Sequence, residues 1–597
     1  MKLIDLLNLR ASLAEKFTKD FHDRVERDVK VYNAEQPSAL DNLNIDLSDL
    51  PNRRYQFTIP LVFTNHESMM ASMFDRMPDL MFTKGGLQDE EKAQKVKAAY
   101  EYLKDKLDLE MVVNDVAWWF ILSGFASAHN SYEVVSREVP IYDESGQPIL
   151  DETGQVLTRI EYEYDDPKVE VGELDKESWS PESKFSFDAA GVPYYVRKKK
   201  LTPAEIKDKY SKTVEADTTL ENTDKISDEL KSDVDRVDTM FYSGTLPKDV
   251  SGQVKGWTAD KIYYMVFTSK EVLYKKSVEE HVKINEQLCR IVKWYGAPNT
   301  FFGFGLGKLL APFQREKSIR RGQMIRYADI AAYPKLLIEE ASKIDDSALL
   351  DPRENRVVTF KDNKPEYLQP PQISQIVGDT NNLADQDAQQ ASGLMDISNG
   401  SQSSSTVDTA TGQSIFADAA EKRVRKAKKT LMKWYKSEVI LLLKLCQANW
   451  QSDKLVTITD EESGEDMEVN ISPDDLSDID FDKDVDIDPE SVTINKDVLR
   501  AQAIELYNIT KDDPLVERKE VVKHVYQNGF NVKDPQRFIK SQGLDPGMQL
   551  VNPQTGEQFV VDESGEVVSQ QSAETMAQPT DAAAPPATQA GVMGGVQ

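Results

Sequence analysis

Two stretches of the sequence carry residue types that could do chemistry. Gly303, Gly305, Gly307 and Lys308 form a glycine-rich run ending in lysine, the composition with which a loop cradles phosphates through backbone N–H groups. A loop of that kind needs glycine five residues before its Gly-Lys pair and Ser or Thr after it. Phe302 and Leu309 stand in those places, so nucleotide binding is not expected. Asp478, Asp480, Asp482, Asp484, Asp486 and Asp488 alternate with Ile479, Phe481, Val485 and Ile487. Such carboxylates could gather a divalent cation, the chemistry of a metal-dependent enzyme acting on nucleic acid. An EF-hand loop requires glycine at its sixth position and a later glutamate, and neither falls correctly. The period of two predicts instead a strand with one acidic face. The histidines His22, His66, His129, His281 and His524 are scattered, with no His-x-x-x-His spacing and no nucleophile beside them. The expectation is therefore no catalytic residue, no metal ligand set and no cofactor.

The bulk composition narrows the classes further. With 597 residues, the chain exceeds the length at which one core stops growing, so several packed units are expected. The formal charge is −30, from 72 Lys and Arg against 102 Asp and Glu. Such a surface repels DNA over most of its area, so a DNA contact must be local or must serve passage rather than grip. Cys289 and Cys446 have no disulfide or zinc spacing, which fits a reducing cytoplasm. The opening MKLIDLLNLRASLAEKF carries charges inside its apolar stretch and reads as an amphipathic helix rather than a signal peptide. Val116–Phe125 and Val439–Cys446 are strongly apolar but far shorter than the roughly 20 residues that span a bilayer, so no membrane association is expected.

Periodicity and punctuation outline the framework around these residues. Residues 1–34 predict a helix with Leu6, Leu9, Leu13 and Phe17 at helical spacing. Helices are expected around Phe63, Met69, Met73 and Met77, limited by Pro78, at Asp89–Asp108, and at Glu110–Ser123 with Gly124 as its C-terminal cap. The period then changes to strands: Ser131–Arg137, two turn units at Tyr142–Leu150 and Leu150–Leu157, Glu161–Val171 and Val192–Val196. Thr202, Pro203 and Glu205 spell a capping box with proline at the first helical position. Residues 211–237 read as a flexible insertion or solvated helix. Strands are expected at Lys261–Thr268, Glu271–Lys275 and Cys289–Tyr295. Helices are expected at Leu309–Tyr333, Ile373–Met395, Ser414–Trp450, Lys496–Asn508 and Val516–Asn528, with strands over 454–494. From Asp545 there is no Lys or Arg, and the tail should be mostly disordered apart from a small hairpin at Gln549–Val568.

One stretch, FGFGLGKLLAPFQREKSIRRGQMIRYADIAAYPKLLIEEAS, ending at Ser342, resembles the first stem helix and the start of the clip in portal proteins of tailed bacteriophages. The order of the next segments is also similar to a portal. A strand-turn segment (Pro334–Pro371) precedes a return helix, then a Ser/Thr/Gly loop (Ile397–Thr411), then a long helix beginning TATGQSIFADAAEKRVRK. The helix at Asp108–Gly124 and the Asp188-Ala-Ala-Gly-Val-Pro region resemble wing elements. The resemblance implies an α+β, mainly helical portal-type fold around a central channel. Its regions would be the wing (1–302), first stem helix (303–333), clip (334–371), second stem helix (372–395), channel loop (396–413), long wing helix with β segment (414–495), crown helices (496–544) and tail (545–597). It also implies a homo-oligomeric ring, usually of twelve subunits, at one capsid vertex, assembled in the host cytoplasm. Double-stranded DNA would pass through its axis, with the terminase motor, major capsid protein and tail adaptor as partners.

Within that frame particular residues gain candidate roles. The loop residues Ser398, Asn399, Ser401, Gln402, Ser403, Ser404, Ser405 and Thr406 are polar and nearly uncharged, able to touch DNA without adhering to it; the alternative is a plain connector. In the clip, Leu336, Leu337, Ile338, Val357, Val358, Tyr367 and Leu368 form short apolar patches that could pair between subunits or within a small local sheet. Arg315, Arg320 and Arg321 on the first stem helix, with Glu316–Arg320 an i,i+4 pair, and Lys422, Arg425, Lys426 and Lys429 on the long helix are candidates for DNA or intersubunit contact. The alternative for these charges is a solvated face. The rival functions are a metal-dependent nucleic-acid enzyme using the Asp478–Asp488 run, and another ring-forming head-tail adaptor.

Overall fold

A regular 3/4 run places Leu3, Leu7, Ala11, Ala14, Thr18, Phe21 and Val25 on one side of helix α1 (Leu3–Tyr32), and that side is buried. The expected stripe is corrected here. Leu6 is buried, but Leu9, Leu13 and Phe17 are exposed by 49%, 43% and 36%. Successive steps of four rotate about 40° each around a 3.6-residue helix, so that run drifts off the core face, whereas mixed steps of three and four stay on it.

The computed structural model describes residues 2–35, 58–73, 80–82, 90–141, 148–149, 156–183, 191–215, 218–219, 235–296, 300–332, 336–337, 366–367, 375–392, 410–459, 466–477, 479–487 and 496–510, with short pieces between 521 and 569. The chain divides into two units, the first holding residues 1–460 and 465–494, the second 461–464 and 495–597. Helix outweighs strand in a mixed architecture, as expected from the sequence.

In the first unit, α2 (Leu61–Met73), α3 (Glu90–Lys106) and α4 (Leu109–Leu122) follow α1. Asp108 accepts the Met111 N–H at 3.4 Å to start α4, and Gly124 ends it at φ +76°, the left-handed conformation expected of a glycine cap. Strand β2 (Phe125–Pro140) pairs antiparallel with β3 (Thr158–Val171) and, on its other side, with β10 (Cys289–Lys293). Beyond it Ile141, Ile149 and Leu157 close a ring of backbone hydrogen bonds of 2.7–2.9 Å. These three residues carry the two expected turn units, whose tips lie outside the described residues.

The second sheet runs β4 (Glu177–Trp179), β5 (Tyr194–Leu201), β7 (Asp235–Gly244), β8 (Tyr263–Phe267), β9 (Val272–Ser277), with β6 (Thr218–Thr219) on β7. Strand β7 overlaps only the last three residues of 211–237, of which 220–234 lie outside the described residues, and it is not among the strands expected from the sequence. Asp235, Arg236 and Asp238 disguise an alternation in which Val237 and Thr239 are fully buried. The Thr202 capping box forms as expected and opens α5 (Pro203–Tyr210), with Glu205 N–H donating to Thr202 Oγ1 at 3.1 Å. A second box, Ser277 with Glu280, opens α6 (Val278–Val282).

A short hairpin of β11 (Tyr295–Gly296) and β12 (Gly303–Phe304) leads into α7 (Leu306–Ala332). Strands β13 (Leu336–Leu337) and β14 (Glu366–Tyr367) pair antiparallel, and α8 (Gln375–Ser392) and α9 (Ala410–Asn449) follow. Helix α9 begins four residues before the expected Ser414 and spans about 60 Å. From Val424 to Trp450 its expected apolar stripe is buried. Beyond Val439 burial extends around the helix, taking in Ile440, Leu441, Leu443 and Leu445. Two buried carboxylates fix its exit. Asp165 accepts the N–H groups of Gln451 and Ser452 at 2.8 and 3.1 Å, and Asp166 accepts the Trp450 indole N–H at 3.3 Å. A hairpin of β15 (Lys454–Thr459) and β16 (Asp466–Ile471) follows. The acidic run is then broken by a one-turn helix α10 (Phe481–Asp484), and only β17 (Val485–Ile487) is extended, pairing with β1 (Leu80–Phe82). The single acidic-faced strand expected over Asp478–Asp488 is thus corrected to a helical turn plus three residues of strand. Phe481 and Ile479 are buried here, pulling the backbone into a turn.

The second unit holds α11 (Lys496–Thr510) and an antiparallel meander of β18 (Gln549–Val551), β19 (Gln558–Val561) and β20 (Val567–Ser569), one strand more than the expected hairpin. Cys289 and Cys446 are free and fully buried. Among the described residues no helix is long and apolar enough to cross a membrane, and no group of three or more His, Cys, Asp or Glu is gathered to hold a metal ion.

Candidate functional site

The glycine run Gly303–Gly307 serves close packing. A Cβ on Gly305 would lie 2.3 Å from the Ile121 carbonyl and 2.6 Å from the Gly124 nitrogen, so the chain entering α7 lies directly on the end of α4. A Cβ on Gly307 would meet the Asp28 carboxyl at 2.6 Å. Burial pushes the Asp28 carboxyl up to about 7, against the pull of Arg24, Arg27 and Lys308. Lys308 lies over the Phe304 ring at 5.0 Å, where the ring face attracts the cation.

One residue unnoticed in the sequence pins α7. Gln314 is 3% exposed; its Oε1 accepts the Val62 N–H and its Nε2 donates to the Val31 carbonyl, both at 2.8 Å. Ser318, one turn on, accepts the Ile59 N–H at 3.1 Å. A lone glutamine in a charged helix gives no sequence signal for this, because its partners lie about 250 and 280 positions away.

Helices α7 and α8 run antiparallel. Lys317 pairs with Asp385, while Leu309 shares a cleft with Gln390 and Ala391 nearer the start of α7. The small residues Ala384, Ala388 and Ser392 are buried on α8 and let the helices approach closely. The predicted Glu316–Arg320 pair forms, with Arg320 Nε donating to Glu316 at 2.9 Å. Pro312, Arg315, Glu316, Ile319, Arg320 and Gln323 line a shallow groove made by α7 alone, and Ile319 is 45% exposed. Arg321 is exposed as well.

The candidates on α9 divide. Lys426 and Lys429 are exposed and Arg425 is half-buried, while the side chain of Lys422 lies outside the described residues. Arg423, exposed, donates to the Gln390 carbonyl at 2.8 Å and so ties α9 to α8. In the clip-like segment Leu336 pairs with Tyr367 and Leu337 with Glu366, a local sheet within one chain. Ile338, Val357, Val358 and Leu368 lie outside the described residues, as do the loop residues Ser398, Asn399, Ser401, Gln402, Ser403, Ser404, Ser405 and Thr406.

Four of the five histidines fall within the described residues and are satisfied. His129 pairs with Glu177, itself bonded to Ser127 Oγ at 2.6 Å, and burial holds the imidazole below its ordinary range. His66 lies against the Trp118 carbonyl, His22 against the Glu177 carbonyl, and His281 stacks on Tyr264. A buried ionisable group stands beside this sheet. Glu438 on α9 is 1% exposed, and burial raises its carboxyl to about 7 against the pull of Arg290. Asn130 lies beside it, but no hydrogen bond reaches either carboxylate oxygen.

No curated protein matches the sequence. Solved structures match, among them one described as the neck of an empty GTA particle computed with C6 symmetry, at 9% identity and a TM-score of 0.35, covering 78% of this chain and 90% of that one. Residues 284–497 match the family model described as the phage SU10 portal protein. That segment contains α7, α8 and α9, and over it the chain is similar to phage portal proteins, as the residues from Gly303 onward indicate.

Proposed function

We propose that this chain is a portal protein, the repeated subunit of a ring at one capsid vertex through which DNA enters and leaves. The observation that carries the reading is the family match over 284–497 falling on an antiparallel helix pair and a long helix, in the order a channel wall requires. The groove left open along α7, with Ile319 half-exposed among Arg315, Glu316 and Arg320, suits a helix packed against its own copies.

In this reading α7 and α8 form the stem, 334–371 the clip that meets the terminase motor and later a tail adaptor, and 396–413 the loop at the axis. Residues 1–302 form the wing toward the major capsid protein, and 496–544 the crown. The subunit is structural, and ATP hydrolysis belongs to the motor. An acidic balance lets DNA slide past, since each strong phosphate contact would have to break during translocation.

Mass and shape test it. Twelve copies of 67.5 kDa make a particle near 810 kDa. Purified protein should form rings with an open axis by negative stain. A deletion of Ser401–Ser405 should leave the rings intact and impair DNA packaging or retention. A protein that stays a single subunit, or metal-dependent DNA cleavage abolished by Asp480→Ala, would overturn the proposal.

A further inference from the structure

Arg423, Lys426, Lys429 and Lys433 follow one another at three- and four-residue steps along α9, so they share one side of the helix. All four are exposed, and among the described residues none of them has a carboxylate partner; Arg423 meets only the neutral carbonyl of Gln390. Other cations nearby are paired: Lys317 with Asp385, Arg320 with Glu316, Lys444 with Glu286 and Asp482. Like charges at these spacings destabilise a helix, and within one chain only the Arg423 hydrogen bond offsets that cost.

At its head the row borders a cleft of about 480 Å³ walled by Trp294, Tyr295, Phe304 and Leu309, with Arg423 and Lys426 on the rim. The Trp294 and Tyr295 rings stack at 4.6 Å, and Tyr295 stacks on Phe304 at 5.5 Å, so the wall is a continuous aromatic surface. Unpaired cations around an aromatic wall call for a ligand that is acidic and carries an apolar side chain.

We propose that this row and the cleft at its head receive a second copy of this chain, with carboxylates on the cations and an apolar side chain in the cleft. The assignment rests on the ring reading above and adds which surface one subunit offers the next. Charge complementarity supports it: a chain with 102 acidic and 72 basic residues presents carboxylate to any neighbour. The contact joins unlike surfaces, the heterologous kind that closes into a ring. Duplex DNA fits less well, because a phosphate backbone has no use for an aromatic cleft and four unpaired cations in about 15 Å of helix would grip it.

The test uses the full chain with Lys426, Lys429 and Lys433 all replaced by Gln, and separately all by Glu. Sedimentation at low and high salt reads assembly, the thermal melt reads folding, and fluorescence anisotropy reads duplex DNA binding. The Glu variant should weaken assembly about tenfold or more and the Gln variant less, with the melt unchanged or slightly raised. If the Glu variant does not fold, the Gln variant alone decides, by a lower salt threshold for dissociation. Assembly equal to wild type in the folded variants overturns the assignment and leaves the ring reading standing, as does lost DNA binding with assembly intact. A wild type that never assembles overturns the ring reading itself.

Discussion

Gln314 holds the Val62 N–H at 2.8 Å from the middle of α7, and the same amide reaches back to the Val31 carbonyl. A single buried side chain thus joins the end of α1, the start of α2 and the middle of α7. Gln314 and Val62 are buried and Val31 is half-buried, so water is poorly placed to replace the amide at Val62.

Gln314→Ala should therefore cost about 2–4 kcal/mol, since it strands a donor and an acceptor in the interior. Urea unfolding of the isolated chain measures this. A loss under about 0.5 kcal/mol would mean that water fills the gap.

Glu438 makes stability depend on pH. Its folded carboxyl titrates at about 7 against an ordinary 4.5, so the native state holds a proton that the unfolded chain has lost. Stability is full below about pH 4.5 and falls as pH rises to about 7, by up to about 3 kcal/mol. Asp28, raised from 3.8 to about 7, acts in the same direction. Glu438→Gln should flatten part of this decline and stabilise the protein at pH 8, and Asp28→Asn should flatten it further, while buried His129 and His281, held below their ordinary range, act in the opposite direction. Melts of wild type and variant from pH 5 to 8 isolate the contribution, and a Glu438→Gln stability difference that does not grow as pH rises would refute the assignment.

Lys317 and Asp385 connect α7 to α8 across a partly exposed pair, with 15% and 37% of their side chains accessible. A double-mutant cycle with Lys317→Ala and Asp385→Ala should return a coupling of about 0.3–1 kcal/mol, smaller in high salt. Zero coupling would mean that close packing around Ala384 and Ala388, not this ion pair, holds the helix pair.

Gly305→Ala would drive a methyl group into backbone atoms of Ile121, Leu122 and Gly124, none of which can swing aside. A loss of roughly 2–4 kcal/mol is expected, by overpacking in a core that is already close-packed. Gly124→Ala adds a left-handed backbone and a contact with Phe304 at 2.0 Å. The two substitutions press on one junction, so the double variant should fall short of their sum. Chemical denaturation of the three variants tests this.

Local rules that involve only neighbouring residues were legible. The Thr202–Glu205 box, the Gly124 cap, the Glu316–Arg320 pair and the stripe from Val424 to Trp450 all follow from spacings of one to four residues. What failed depended on distant partners. Strand β7 hides its alternation behind Asp235, Arg236 and Asp238, and becomes a strand because β5 and β8 supply both of its ladders. Leu9, Leu13 and Phe17 have helical spacing, and only the neighbours of Leu7, Ala14 and Phe21 decide which stripe faces inward. The α7–α8 register and the Gln314 anchor belong to the same class. The candidate site divides likewise: α7, α8 and α9 were visible as periodic segments and Lys426 and Lys429 as candidates, but Arg423 and Lys433 were not singled out, and which cations are paired depends on side chains far away in sequence.

Cys289 and Cys446 are sealed in the interior, and burial lifts both thiols well above their usual range. The folded chain is therefore silent toward maleimide reagents, which attack the exposed thiolate. One cysteine introduced at Ile319 would be the single labelling point per polypeptide, and a fluorophore there would report each association event by energy transfer, with no background to subtract.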